Sequence, residues 1–85
     1  MPTSMFTDAY KVLVNALVEA RKEAGLSQTD LAERVGKWQK YVSTIETGSR
    51  RVDLVEFCAL AKAMDRDPVI FFTEVYEKMP DKLDT

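Results

Sequence analysis

Positive charge in this sequence is concentrated between residues 37 and 52. This stretch holds four basic residues against one acidic residue, a net +3, whereas the whole chain has a formal net charge of −2. The basic residues are Lys37, Lys40, Arg50 and Arg51, and the acidic one is Glu46. Because charges in physiological salt act over a Debye length of about 8–10 Å, a partner responds to this local sign. The stretch therefore favours the binding of a polyanion.

The residue types needed for most other site chemistry are missing. The sequence contains no histidine and one cysteine, Cys58. A single cysteine makes neither an internal disulfide nor a thiolate cage, so a zinc finger is excluded and no metal site is expected. No nucleophile–base pair and no phosphate-binding loop is present, so we expect neither an enzyme nor a bound cofactor nor a small-molecule substrate. Cys58 lies in an apolar run and is expected to be a small core residue rather than a reactive thiol.

Capping residues and glycines divide the chain into five predicted helices within a single domain, residues 1–85. Thr7 and Ser27 are typical N-cap residues, and glycine follows each of the first three helices. The predicted helices cover about 8–24, 28–35, 39–47, 54–64 and 68–78. The first has a buried stripe at Tyr10, Leu13, Leu17, Ala20 and Ala24. The second and third form a helix-turn-helix unit over about 27–47, and residues 80–85 are expected to be a disordered tail.

The third helix has one apolar face and one polar face. At about 100° per residue, one face consists of Val42, Ile45 and Glu46, and the opposite face of Lys40, Ser43, Thr44 and Thr47, flanked by Gln39 and Tyr41. Polar side chains of these types reach the donors and acceptors that base pairs present in the major groove of DNA. The alternative is an ordinary solvated face of a short helix.

Two charged residues fall on faces that should be buried. Arg21 lies on the apolar stripe of the first helix, and Glu46 lies on the apolar face of the third. Because an unpaired charge is costly to bury, we expect the two to form an ion pair that joins these helices. The alternative is that each side chain extends separately to solvent.

Residues 17–72 resemble the phage-repressor (Xre or Cro-like) family of helix-turn-helix proteins. The resemblance is carried by Arg21, by GLSQTDLA at 25–32, Val35-Gly36, QKYVSTIETG at 39–48 and LAKAMDRDP at 60–68. It implies an all-α fold, a compact five-helix bundle of the lambda-repressor-like DNA-binding type, with the third helix as the recognition helix.

The resemblance also implies roles for individual residues. Gln39, Lys40 and Thr44 match positions that commonly read bases, with Ser43 and Tyr41 at flanking bases or the DNA backbone. Gln28 matches a position that braces both the DNA backbone and the recognition helix, and Arg50 and Arg51 lie in a loop that runs along phosphates. Arg21 and Glu46 match a structural ion pair of the family.

The turn before the third helix departs from the family pattern. Lys37 stands where an apolar residue is usual, and Trp38 replaces the usual Ser or Thr cap. A capping hydroxyl is worth about 1 kcal/mol. Trp38 either packs over the turn, which we expect, or lies against the sugar-phosphate backbone of DNA.

The last predicted helix carries more apolar residues than one small core requires. All but Ile70 of its apolar residues fall within an arc of about 160°. The surplus predicts a self-association patch at Ile70, Phe71 and Val75 that would form a two-fold homodimer. The alternative is that this helix is simply the central apolar element of the core.

These features predict a DNA-binding transcriptional regulator, a repressor that binds a palindromic double-stranded operator as a homodimer. The alternative is a protein-binding module on the same fold, such as an antitoxin or adaptor. Hydrophobic residues make up 46% and charged residues 31% of the chain, which is typical of soluble globular proteins. No apolar run is long enough to span a membrane and no signal-peptide pattern is present, so we expect a cytoplasmic protein without a membrane partner.

Overall fold

Five α-helices account for the regular structure that the computed structural model describes, over residues 7–85. They are α1 (Asp8–Glu23), α2 (Gln28–Arg34), α3 (Gln39–Glu46), α4 (Leu54–Ala63) and α5 (Pro68–Glu77). The all-α prediction is confirmed. Each helix ends one residue before its predicted end, because the predicted last residue is the C-cap, which is only half helical.

The helices before and after α3 both begin with a side-chain cap. At α2, the Ser27 hydroxyl accepts from the Asp30 N–H, and the Asp30 carboxylate accepts from the Ser27 N–H, each at 3.0 Å. The hydrogen bond from the Ser27 N–H to the Asp30 carboxylate holds the pKa of Asp30 below its ordinary value. Asp53 and Glu56 form the same reciprocal box at α4. The N-cap expected at Ser27 is confirmed, and local sequence determines where both helices begin.

One core joins all five helices. Its fully buried members include Leu17 from α1, Leu31 from α2, Ile45 from α3, and Phe57 and Phe71 from α4 and α5. The Phe57 and Phe71 rings stack with centroids 5.3 Å apart. The radius of gyration is 12.3 Å, close to the ~12 Å expected for a compact chain of this length.

The turn between α2 and α3 positions the recognition helix. Gly36 has φ = 70°, a left-handed conformation that glycine adopts without steric cost. The Lys37 N–H then donates to the Ala32 carbonyl at 2.8 Å and closes the end of α2. The chain is thereby redirected within a few residues, so that α3 packs against α2 and α1.

Three sequence-based expectations about burial are wrong. Ala24 is exposed because it is the C-cap of α1 and no longer follows the helical stripe. Cys58 is only partly buried, because it lies at the edge of the α4 face whose buried residues are Phe57, Leu60 and Ala61. Trp38 does not pack over the turn: 85% of its surface is exposed, because its backbone is extended and the side chain is directed away from the domain.

Within residues 7–85, no helix has both the length and the apolar character needed to cross a bilayer.

Candidate nucleic-acid interface

Helix α3 packs on the core through its apolar face, and its polar face is accessible to solvent. Val42 and Ile45 are each 2% exposed and lie in the core shared with α1 and α2. Gln39 and Lys40 are exposed, and Ser43 and Thr44 are half-buried. The two faces predicted from helical spacing are therefore present, and the polar one is accessible to a large ligand.

The predicted ion pair joins α1 to the end of α3. The Arg21 Nε donates to Glu46 Oε2 at 2.7 Å, and Arg21 Nη2 donates to Glu46 Oε1 at 3.0 Å. The two side chains are only 12% and 7% exposed. Arg21 Nη1 also donates to the Leu26 carbonyl at 2.9 Å, just before α2 begins. One arginine thus fixes the relative positions of α1, α2 and α3.

Glu46 is also the first member of a hydrogen-bonded chain that reaches the start of α3. Its Oε1 accepts from Gln28 Nε2 at 2.9 Å, and Gln28 Oε1 accepts from Gln39 Nε2 at 2.7 Å. Gln39 is therefore held in a defined orientation by a residue at the start of α2. The sequence placed Gln28 and Gln39 in the site, but not this connection between them.

Ser43 and Thr44 use their hydroxyl protons within the helix. Ser43 Oγ donates to the Lys40 carbonyl at 3.1 Å, and Thr44 Oγ1 donates to the carbonyls of Lys40 and Tyr41 at 2.9 and 3.0 Å. A hydroxyl whose proton is already donated still has a lone pair to offer. Both residues therefore offer a hydrogen-bond acceptor on the open face, and Thr44 also carries a methyl group.

Arg50 is held by an acidic residue that lies outside the basic stretch. Arg50 Nη2 lies 2.7 Å from Glu56 Oε2, and Arg50 Nη1 donates to Glu56 Oε1 at 3.1 Å. The same carboxylate accepts from the Tyr41 hydroxyl at 3.0 Å, and the Arg50 guanidinium lies 4.9 Å from the centre of the Tyr41 ring. Glu56 therefore offsets the Arg50 charge, and the surface is less basic than a count over residues 37–52 indicates.

This cluster changes the titration of two of its members. Burial, followed by the hydrogen bond to Glu56, raises the pKa of Tyr41 to about 12. The Arg50 hydrogen bond, followed by that from the Asp53 N–H, lowers the pKa of Glu56 to about 2. At neutral pH the Tyr41 hydroxyl is protonated and the Glu56 carboxylate is ionised, as they would be without these shifts, so the shifts matter only in alkaline and acidic solution.

The low pKa of Glu56 predicts a specific loss of stability in acid. Because its folded pKa of about 2 lies below the ordinary value of 4.5, its contribution is fully present above about pH 4.5 and is lost as the pH falls toward 2. The unfolding free energy of Glu56→Gln, measured by urea titration between pH 5 and 2, is expected to fall less steeply than that of the wild type. Parallel slopes for the two proteins would contradict this assignment. Glu33→Gln, the same substitution at an exposed residue of α2, serves as the control.

The loop after α3 is attached to α1 through Tyr10. The Tyr10 hydroxyl accepts from the Val52 N–H at 3.0 Å and donates to the Arg50 carbonyl at 3.4 Å. The exposed Arg51 places its guanidinium carbon 4.4 Å from the Tyr10 ring centre. The sequence predicted Tyr10 only as a core residue. Its hydroxyl fixes the loop that presents Arg51 beside the α3 surface.

The patch predicted on the last helix is wrong for two of its three residues. Phe71 and Val75 belong to the core and cannot contribute to a surface, because they lie on the side of α5 that packs on the domain. Ile70 is 60% exposed. The other exposed apolar residues of α5 are Val69, Phe72 and Tyr76. At about 100° per residue these three lie within an arc of about 60°, and Ile70 lies on the other flank.

The fold agrees with that of similar proteins. The profile of the helix-turn-helix family matches residues 17–71, well over half of the chain, and the chain belongs to this family. It is therefore a DNA-binding regulatory protein and not an enzyme.

Three solved structures have a similar fold. An XRE-family like protein from Pseudomonas syringae pv. tomato is 35% identical, with 85% of this chain and 88% of that chain covered and a TM-score of 0.78. A variant of the restriction-modification controller protein C.Esp1396I is 24% identical, covering 92% and 94%, with a TM-score of 0.74. The clp gene regulator ClgR from C. glutamicum is 21% identical, covering 96% and 100%, with a TM-score of 0.73. The last two show the fold alone. No curated protein sequence matches the chain.

Proposed function

We propose that this protein binds a specific double-stranded DNA sequence through α3 and represses transcription as a homodimer on a palindromic operator. The observation that carries the proposal is the polar, accessible face of α3 above the buried Val42 and Ile45. A short helix exposed in this way fits the major groove, where it can reach base edges. Such a protein acts where the DNA is, so we propose a cytoplasmic location.

Two groups of side chains divide the work in this proposal. Gln39, Lys40, Ser43 and Thr44 face the base edges, and Gln28, Tyr41, Arg50 and Arg51 lie along the DNA backbone. Arg50, Arg51 and Lys40 supply the attraction to phosphates, and Glu56 offsets part of the Arg50 charge. With so few cations the affinity of one domain is limited, and a second copy on the same DNA raises it through bivalency.

Binding to random and selected duplexes across a salt series tests the function. We expect weak, strongly salt-dependent binding to random duplex, and much tighter binding to a sequence selected from a genomic library. No binding to any duplex at low salt would refute the proposal. It would favour the alternative, a protein-binding module such as an antitoxin or adaptor that uses the exposed apolar residues of α4 and α5.

The apolar flank of α5 is the surface that we propose for the homodimer. It consists of Val69, which is 74% exposed, and of Phe72 and Tyr76, whose rings stack with centroids 6.3 Å apart. A two-fold axis brings the same patch of both copies together, so the patch must be complementary to itself. A contiguous apolar flank meets this requirement, because apolar surface packs against apolar surface. In such a dimer the two recognition helices would need to lie about 34 Å apart to reach successive major grooves.

Charge substitutions on the two flanks of α5 test whether the flank with Val69 forms the dimer interface. Val69→Glu is expected to convert the dimer to a monomer, because it places like charges against each other in an apolar interface. Ile70→Glu, at a similarly exposed residue on the other flank, should leave the dimer intact. Sedimentation measures the mass of both variants and of the wild type. A monomeric wild type, or equal effects of the two substitutions, would rule out this interface.

A further inference from the structure

Trp38 is the most exposed large apolar side chain that the structure places between residues 7 and 85, with 85% of its surface in solvent. It is the N-cap of α3, yet its side chain makes no capping hydrogen bond. Serine, threonine, asparagine or aspartate at this position would stabilise the helix. Neither packing nor capping therefore explains the presence of an indole here.

The surroundings of Trp38 identify the kind of surface that would cover it. Lys37, Gln39 and Lys40 are its exposed neighbours in the chain, so the indole lies in a basic and polar environment. Such surroundings are complementary to a nucleic acid rather than to an apolar protein surface. In helix-turn-helix complexes, the N-terminal residues of the recognition helix lie against base edges.

We propose that the Trp38 indole contacts the 5-methyl group of a thymine in the major groove, at the edge of the sequence that α3 reads. This inference rests on the proposed function and names one base within it. The thymine methyl is the apolar feature that base pairs present in the major groove. Contact between the indole and this methyl removes apolar surface of both from water, in a region where the neighbouring side chains of α3 are polar.

Deoxyuridine scanning tests the contact directly. In the selected operator, each thymine is replaced in turn by deoxyuridine, which lacks the methyl group and keeps the base pairing. For the wild type, one replacement is expected to weaken binding about fourfold, the effect of exposing one methyl-sized group. Trp38→Ala is expected to weaken binding to the unmodified operator about tenfold and to be insensitive to that same replacement.

Two further variants separate recognition from stability. Trp38→Ser introduces a capping hydroxyl, so it should raise the thermal midpoint of unfolding while still losing the deoxyuridine sensitivity. Val55→Ala truncates another exposed apolar residue, outside α3, and should retain both the affinity and the sensitivity. Because Trp38 is the only tryptophan, its fluorescence should also change when operator is added to the wild type.

The outcomes distinguish this inference from the function on which it rests. If the wild type binds no duplex at low salt, the proposed function fails and the thymine contact fails with it. If the wild type binds its operator but no deoxyuridine replacement weakens binding, only the thymine contact is overturned. The same holds if Trp38→Ala keeps the full affinity or keeps the deoxyuridine sensitivity.

Discussion

Replacing Glu46 by alanine is expected to lower the unfolding free energy by about 3–5 kcal/mol, the usual cost of removing one partner of a buried ion pair. The substitution leaves the Arg21 guanidinium in a site that is only 12% exposed, without the carboxylate that accepts two of its hydrogen bonds. It also removes the acceptor of the Gln28 side chain. Domains of this size are stable by only about 5–15 kcal/mol, so a large part of the total would be lost. Urea denaturation at neutral pH measures the change.

An exposed ion pair on the same domain provides the matched control. Glu74 lies 3.5 Å from Arg66, but its side chain is 53% exposed. Because solvent screens such a pair, Glu74→Ala should cost no more than about 1 kcal/mol. A cost for Glu46→Ala as small as that for Glu74→Ala would mean that water screens the Arg21–Glu46 pair as well, and that it does not fix α1 to α3.

The second large effect is expected at Lys40 and Thr44, whose substitution by alanine should relax the sequence preference of DNA binding. Both side chains belong to the accessible face of α3. A good contact to a base is worth about 1–3 kcal/mol of discrimination, so Lys40→Ala should reduce the preference at one base position about 5- to 150-fold. Thr44→Ala should act in the same direction. Selection from randomised duplexes, repeated with each variant, measures these preferences.

Arg51→Ala should behave differently, because Arg51 is presented by the loop and not by the recognition helix. We expect weaker binding to all sequences alike, with the slope of log affinity against log salt reduced by about one. Lys62→Ala, at an exposed lysine of α4, should change neither preference nor slope. If Arg51→Ala altered the preferred sequence while leaving the salt slope unchanged, the roles assigned to the helix and the loop would be wrong.

Helical periodicity and capping residues were sufficient to predict much of this fold. The 100° spacing separated Val42 and Ile45 from Lys40 and Thr44, and burial in the structure follows that separation. The Arg21–Glu46 pair was predictable because a charge on an apolar face requires a partner. In both cases the signal is local and repeats with the period of the helix.

The remaining features depend on contacts that local patterns do not describe. Glu56 is six residues beyond Arg50, across a loop, so a charge count that ends at residue 52 misses their pairing. Trp38 precedes α3, where the periodicity that indicates burial has not yet begun. On α5, the apolar arc is wider than the buried face, and only the residues at one edge of it, Phe71 and Val75, enter the core.

Gln39 is linked through Gln28 to Glu46, whereas the Lys40 side chain has no such link within residues 7–85. This difference has a consequence for how new operators could be acquired. An exchange at residue 39 disturbs a hydrogen-bonded chain that ends in the Glu46 carboxylate, which is paired with Arg21. At residue 40 an exchange alters only an exposed side chain of α3. Evolution or engineering of new specificity is therefore expected to begin at residue 40 and to reach residue 39 only with compensating changes at residue 28.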